Sequence, residues 1–502
     1  MSDIIFHDLG YFLPELSIVV AMLLAVVTGL LFRKSALPVA AVLIAGILAA
    51  GGTLIGEAGE SVSIFASMIA VDPFAAFFKG IVLLATLFIV IFSLGSGELN
   101  TKGRKLAEYY ALLGAAALGM MLMAGASNLL MMYLALELSS MSSYLLSGYT
   151  REAKDSSEAA LKYVIYGALS SGLMVYGISI VYGMSGSLQL SAINQALPQV
   201  LAQGGVPRLM LLIAGFLMLA GFGYKISAVP FHFWTPDVYE GAPTAVTAFL
   251  SVASKAGGFA MLIRFLKVTF ENTSMPAVAA GAWTLLQGIP WVDIIAVLAV
   301  ITMTVGNLVA VWQDNLKRLL AYSSIAHAGY MLMGVVVLGN DGLAAICIYF
   351  GVYLFMNLGA FYAVMVIADK TGSENINDYK NLGARAPFLG VALAIFLVSL
   401  TGLPPTAGFI GKLYLFAALI NHGWVWLAIV GALNSVIALY YYVRIFRNVF
   451  LRSDDHAGPA IVLSGVQTAL LLVLVVPTLV LGLYFGPLVN LAQASVRIFG
   501  AP

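Results

Sequence analysis

Leu217–Pro230 reads LMLAGFGYKISAVP, a run apolar enough to lie in a bilayer that nevertheless carries Lys225 shortly before a proline. In lipid the backbone must bond to itself, and an ammonium at mid-depth costs at least about 2.5–3.5 kcal/mol on insertion scales. Such a run predicts a membrane helix that breaks where protein or water can receive the charge. Continuous helix from Pro207 to Pro236 would measure about 45 Å, against a hydrocarbon core of about 30 Å. The stretch from Pro387 to His422, which contains Gly402, Pro404 and Pro405, would measure about 50 Å. Both are read as discontinuous helices.

The surrounding sequence is of the same kind. Of 502 residues, 61% are hydrophobic and 9% charged, which places the chain in lipid rather than among soluble domains. About fourteen apolar runs of spanning length fall near 11–32, 37–55, 73–95, 108–125, 127–148, 158–183, 208–229, 243–267, 291–312, 318–338, 342–368, 388–420, 424–447 and 461–488. The fold class is therefore an all-α polytopic membrane protein. A net charge of +1 without a basic face argues against nucleic acid as a partner. One cysteine, Cys347, excludes an internal disulfide and a multi-cysteine cluster. No metal site is expected, and Gly408-Phe409-Ile410-Gly411-Lys412 lacks the spacing of a phosphate loop. The N-terminus lacks the basic region of a cleaved signal peptide, so the first helix is expected to remain.

Most Lys and Arg residues fall after odd-numbered spans: Arg33, Lys34, Lys102, Arg104, Lys105, Arg151, Lys154, Lys317, Arg318, Lys370, Lys380, Arg385, Arg444, Arg447 and Arg452. The opposite side holds Arg208, Arg264, Lys267 and Arg497. The positive-inside rule then puts both termini outside.

The remaining lysines, Lys79, Lys162, Lys225, Lys255 and Lys412, lie within spans. Lys79 is close enough to the outer surface to snorkel. Lys162 follows Glu158 by one turn and reads either as a local ion pair or as a modulating partner of Glu137 and Lys225. Lys255 is too deep to snorkel easily and Lys412 reads the same way, Lys225 stands just before the predicted break at Pro230, and Glu137 is the one carboxylate placed deep in a span. His232 and His327 read either as packing residues or as proton carriers, since imidazole titrates near neutral pH. Together these residues suggest a proton path in the membrane plane.

Two blocks of five predicted helices, 108–267 and 291–450, each contain one broken helix, and an odd helix number inverts the second. The division is a three-helix N-terminal segment 1–107, the first inverted repeat 108–267, an external loop 268–290, the second repeat 291–450 and a C-terminal helix in 451–502.

Three strings carry a family resemblance. They are Phe231-His232-Phe233-Trp234-Thr235-Pro236-Asp237-Val238-Tyr239-Glu240-Gly241-Ala242-Pro243, Tyr322-Ser323-Ser324-Ile325-Ala326-His327-Ala328-Gly329-Tyr330, and Leu403-Pro404-Pro405-Thr406-Ala407-Gly408-Phe409-Ile410-Gly411-Lys412. The chain resembles the antiporter-like membrane subunits of respiratory complex I, the proton-pumping NADH:quinone oxidoreductase, and among them the N subunits. The resemblance implies a proton path through Glu137, Lys225, Lys255 and Lys412. It also implies a non-redox role in a translocase whose NADH, flavin, iron–sulfur clusters and quinone belong to partner subunits, with no cofactor in this chain. Implied partners are K-like and M-like membrane neighbours and the peripheral arm, in a bacterial cell (inner) membrane with periplasmic termini. The M subunits carry an acidic residue where Lys412 stands, which favours the N branch. Two alternatives remain open at this level: a subunit of a multisubunit Na+/H+ antiporter, and a passive scaffold whose buried charges lock helices together.

Overall fold

The computed structural model describes residues 2–32, 35–57, 59–100, 106–272, 283–286, 289–337, 339–452 and 460–498, with side chains from Ile5 onward. Arg33, Lys34, Lys102, Arg104 and Lys105 of the charge census, and most of the expected external loop, lie outside the described residues. The chain opens with α1 (Ser2–Gly10), α2 (Leu13–Leu31) and α3 (Leu37–Glu57), then a hairpin of β1 (Val62–Ile64) and β2 (Ile69–Val71), then α4 (Pro73–Gly95). Next come α5 (Ala107–Gly125), α6 (Leu129–Ser147), α7 (Lys154–Ser185), α8 (Leu190–Ala202), α9 (Gly205–Ile226) and α10 (Trp234–Gly241). The following helix, α11 (Thr244–Phe249), passes through a π-helical turn, Leu250–Ser254, into α12 (Lys255–Phe270). The second group is α13 (Trp291–Ala310), α14 (Leu316–Val336), α15 (Asn340–Thr371), α16 (Leu382–Arg385), α17 (Pro387–Thr401), α18 (Ala407–Asn421) and α19 (Val425–Phe450). The chain closes with α20 (Gly465–Leu483) and α21 (Gly486–Ala494).

Among the described residues, thirteen helices are long and apolar enough to cross a bilayer. Helices α17 and α18 are too short singly and together make the fourteenth crossing. Helix starts follow local chemistry. The Asp72 carboxylate accepts from Ala75 N at 2.7 Å ahead of Pro73, and Asn128 and Asn315 cap α6 and α14 in the same way.

Loop contacts tie the helix ends into two faces. On one, the hairpin bridges Ala126 through Ile69, Asn128 bridges Gln189, and Phe74 N donates to the carbonyl of Arg497. On the other, Leu316 N donates to Glu374 O, Asn381 N to Arg452 O and Ile461 N to Arg385 O. The hairpin face thus carries the C-terminal segment, and also α1, whose Asp8 accepts from Phe65 N at 2.9 Å.

The crossing from α11 through α12 is buried along its whole membrane window, with α14 and α15 nearly so. The two blocks begin alike. An ideal Cβ on Gly119 would lie 2.5 Å from the backbone nitrogen of Ser139, and one on Gly329 would lie 2.5 Å from that of Met303, so α5–α6 and α13–α14 both pack through a glycine.

Several features depart from the expectations. Arg264 and Lys267, assigned to the rim by their charge, lie inside α12, because that helix continues to Phe270 and packs centrally. Arg264 forms a fully buried two-pronged ion pair with Asp72, at 2.6 and 2.9 Å. Lys267 lies 3.3 Å from Glu271 and 4.6 Å from the Trp283 ring. Burial pushes the Glu271 carboxyl up, and the Lys267 ammonium pulls it part of the way back. Lys79 does not snorkel: Glu15 and Glu57 enclose it, and they join Glu137 as carboxylates of membrane helices. Finally, the last predicted span resolves into α20 and α21, and α1, α8, the hairpin and the π turn were not expected.

Candidate functional site

The break after α9 comprises residues 227–233. It is held by Val229 N donating to Thr302 Oγ1 at 3.1 Å and by Trp234 Nε1 donating to the carbonyl of Tyr224 at 3.1 Å. Beyond it, α10 is fastened at the face opposite the hairpin. Asp237 accepts from Lys162 Nζ and from Arg318 Nη1, each at 2.6 Å, and Glu240 accepts from Arg318 at 2.8 Å. Asp237 and Glu240 are three residues apart, so both meet one arginine from one side of α10. Lys162 is also 2.7 Å from Glu158. Lys162 is therefore an anchor of α10 with two carboxylate partners, and the structure does not set it against Lys225.

Lys225, in the last turn of α9, donates to Ser140 Oγ at 3.2 Å. Ser140 stands one turn beyond Glu137 on α6, whose charge reaches Lys225. Glu137 is half-buried, its Oε1 has no hydrogen-bond partner among the described residues, and its helix neighbours Leu134 and Met141 are exposed. The row therefore begins at the outer wall of the protein.

Lys255 begins α12 where the π turn ends. Its Nζ donates to the carbonyl of Ile226 at 3.3 Å and to that of Ser324 at 2.8 Å. One ammonium thus binds the open C-terminal end of broken helix α9, where the helix dipole is negative, and also bridges to the second block. His232, in the break, lies within electrostatic reach of Lys255, and its Nδ1 is buried without a partner among the described residues.

One turn after Ser324, His327 Nδ1 shares a 2.6 Å hydrogen bond with Tyr349 OH. His327 lies within electrostatic reach of both Lys255 and Lys412. Tyr330 packs against His327, and Lys412 Nζ sits 4.4 Å above the Tyr330 ring, a cation–π contact. Lys412 also donates to the carbonyl of Thr401 at 2.8 Å, at the open end of α17, and to Ser435 Oγ at 3.0 Å. The two breaks are thus served alike, each exposed carbonyl end meeting a lysine. Lys225 stands before its break and Lys412 after its own.

Hydrogen bonds to a charged group contribute about 1.5–3 kcal/mol each. Two of them offset the insertion cost of about 2.5–3.5 kcal/mol at Lys255 and at Lys412. Lys225, with a single serine, is the least hydrogen-bonded of the three. The structure therefore brings together Glu137, Lys225, Lys255, His232, His327 and Lys412, leaving only Lys162 outside the row. The sequence reading passed over the connecting groups Ser140, Ser324, Tyr330, Tyr349 and Ser435. Serine clusters at 139–143 and 323–324 were the available signal.

The break after α17 depends on close approach. A Cβ on Gly408 would lie 1.8 Å from the carbonyl oxygen of Ser399, and Gly408 N donates to Ser399 Oγ at 3.0 Å. Gly408→Ala forces α18 off α17 and carries the Lys412 ammonium away from Thr401. The expected result is a loss of at least about 2 kcal/mol of stability, read as a lowered thermal midpoint. An unchanged midpoint would show that the crossing is looser than described.

Residues 126–438 match the family described as NADH:quinone oxidoreductase/Mrp antiporter, TM. The chain is 48% identical to NADH-quinone oxidoreductase subunit N 2 of Chloroherpeton thalassium, over 98% of this chain and 95% of that one. It is 46% identical to NADH-quinone oxidoreductase subunit N of Chlorobium chlorochromatii, over 98% and 96%. Among solved structures it resembles a chain of respiratory complex I from Thermus thermophilus with bound aureothin, at TM-score 0.77 and 31% identity, covering 96% and 99%. A chain of the Mrp complex from Dietzia shares the fold at TM-score 0.82 and 22% identity, covering 97% of each.

Proposed function

This chain belongs to the NADH:quinone oxidoreductase/Mrp antiporter family of membrane subunits, on the branch of the N subunits, and from that premise we propose that it carries protons through the membrane arm of an NADH:quinone oxidoreductase. The observation that carries this reading is the row from Glu137 through Lys225, Lys255 and His327 to Lys412, which links both broken helices. Like charges spaced along such a row cannot all be protonated cheaply, so loading one lysine biases its neighbours. Hydroxyls of Ser140, Ser435 and the tyrosines bridge the longer gaps, and His232 and His327 act as intermediate carriers.

The electron carriers, flavin and iron–sulfur clusters belong to partner subunits on this account. Glu137 faces a membrane neighbour across the exposed side of α6, with K-like and M-like subunits flanking the chain and a peripheral arm supplying electrons. Segments 108–267 and 291–450 form the inverted repeats, and 1–107 and 451–502 flank them. On this reading the face opposite the hairpin is cytoplasmic and both termini are periplasmic, an orientation supported by the excess of Lys and Arg after odd-numbered spans in the sequence.

The test is to tag the chain, purify it from native membranes in mild detergent and assay inhibitor-sensitive NADH:quinone reduction. Co-purification of a large active assembly supports the reading. Small membrane partners without redox activity would favour an Na+/H+ antiporter instead.

A further inference from the structure

Away from the lysine row, three ionisable side chains from α2, α3 and α4 meet near the hairpin face. Lys79 Nζ lies 2.8 Å from Glu15 Oε1 and 3.4 Å from Glu57 Oε2, and the side chains are at most 6% exposed. Glu15 stands in the first turn of α2, Glu57 is the last residue of α3, and Lys79 lies two turns into α4. The cluster is thus within about 10 Å of the helix ends on that face. Glu15 Oε2 and Glu57 Oε1 are buried without a hydrogen-bond partner among the described residues. The other charges nearby are engaged or more open: Asp8 with Phe65 N and His7, Asp72 with Arg264, and Glu60 half-exposed after α3.

The charges do not balance. Two carboxylates against one ammonium leave a net negative charge in an apolar surrounding, which Lys79 alone cannot neutralise. One proton on the carboxyl pair removes the surplus and turns a bare acceptor oxygen into a donor. Two free oxygens are too few to replace the hydration shell of a metal cation.

We infer that Glu15, Glu57 and Lys79 form a proton-binding site in the N-terminal three-helix segment, holding one exchangeable proton supplied from the hairpin face and standing apart from the lysine row. Its ligand is a proton, taken up as a neutral carboxyl beside an ion pair.

The test uses the purified assembled complex in lipid nanodiscs, with infrared difference spectra recorded on pH steps with and without sodium. The wild type should show the C=O band of a protonated carboxyl that both E57Q and E15Q lack, because either substitution leaves one carboxylate matched to one ammonium. K79M, which leaves two unbalanced carboxyls, should double the band. If one glutamine variant fails to assemble, the other and K79M decide. A band of full size in both glutamine variants would overturn the inference, as would one that disappears on adding sodium.

Discussion

Lys255→Met leaves an assembled complex whose proton delivery falls at least about tenfold, equivalent to about 1.4 kcal/mol on the limiting step. The reasoning rests on position. Lys255 touches the carbonyl end of α9 in one block and Ser324 of α14 in the other, so it is the contact through which the two halves of the row meet. Methionine keeps the unbranched stem that packs within α12's buried surroundings. It removes the ammonium that joins the two blocks, and it leaves two carbonyls without their lysine. Assembly is read from the size and yield of the purified complex, and proton delivery from a pH-sensitive dye in proteoliposomes. Full pumping by an assembled Lys255→Met complex would sink the relay, and loss of assembly with normal pumping in the surviving fraction would favour a scaffold role.

The second large effect concerns folding. Asp72→Ala strips the carboxylate from Arg264, whose guanidinium is completely buried and whose Nε already donates to the carbonyl of Ala124 at 3.0 Å. Breaking a buried pair by removing one partner costs about 3–5 kcal/mol, because the remaining charge is uncompensated. Loss of the cap on Ala75 N adds about 1 kcal/mol. The Asp72→Ala chain should therefore be nearly absent from membranes. The double variant Asp72→Ala with Arg264→Met should recover much of the wild-type amount, since an apolar side chain suits that site. Equal depletion of the single and double variants would contradict this account of the pair.

The parts of this architecture that were legible in the sequence are those that lipid itself imposes. A crossing helix must be long and apolar, so the spans from α2 to α20 stood out, and glycine and proline near Lys225 and Lys412 marked both breaks. The deep ionisable residues were legible for the same reason, because each is a costly exception in an apolar run. Shorter features escaped. Helix α8 and the β1–β2 hairpin are brief and lie between spans, where no uninterrupted apolar run announces them. Glu15 and Glu57 sit at span ends, where nothing in the sequence sets a carboxylate apart from a rim charge, although their helices turn them inward onto Lys79. Arg264 and Lys267 misled in the opposite direction, since a positive residue near a span end reads as a flank until the packing of α12 is known. Which serine of each cluster connects was illegible, because Ser140 differs from Ser139 only in which neighbour its helix face meets.

The central claim is that residues on both broken helices act as one path. A double-substitution cycle on Lys225 and Lys412 tests it most directly, because they lie at the two broken helices and share no contact. Proton delivery per electron is measured in proteoliposomes for Lys225→Met, Lys412→Met and the combined variant. If protons must traverse a single row, either break stops the flow and the combined variant is no worse than the more damaging single one. Losses that multiply, each lysine contributing independently of the other, would contradict a single row.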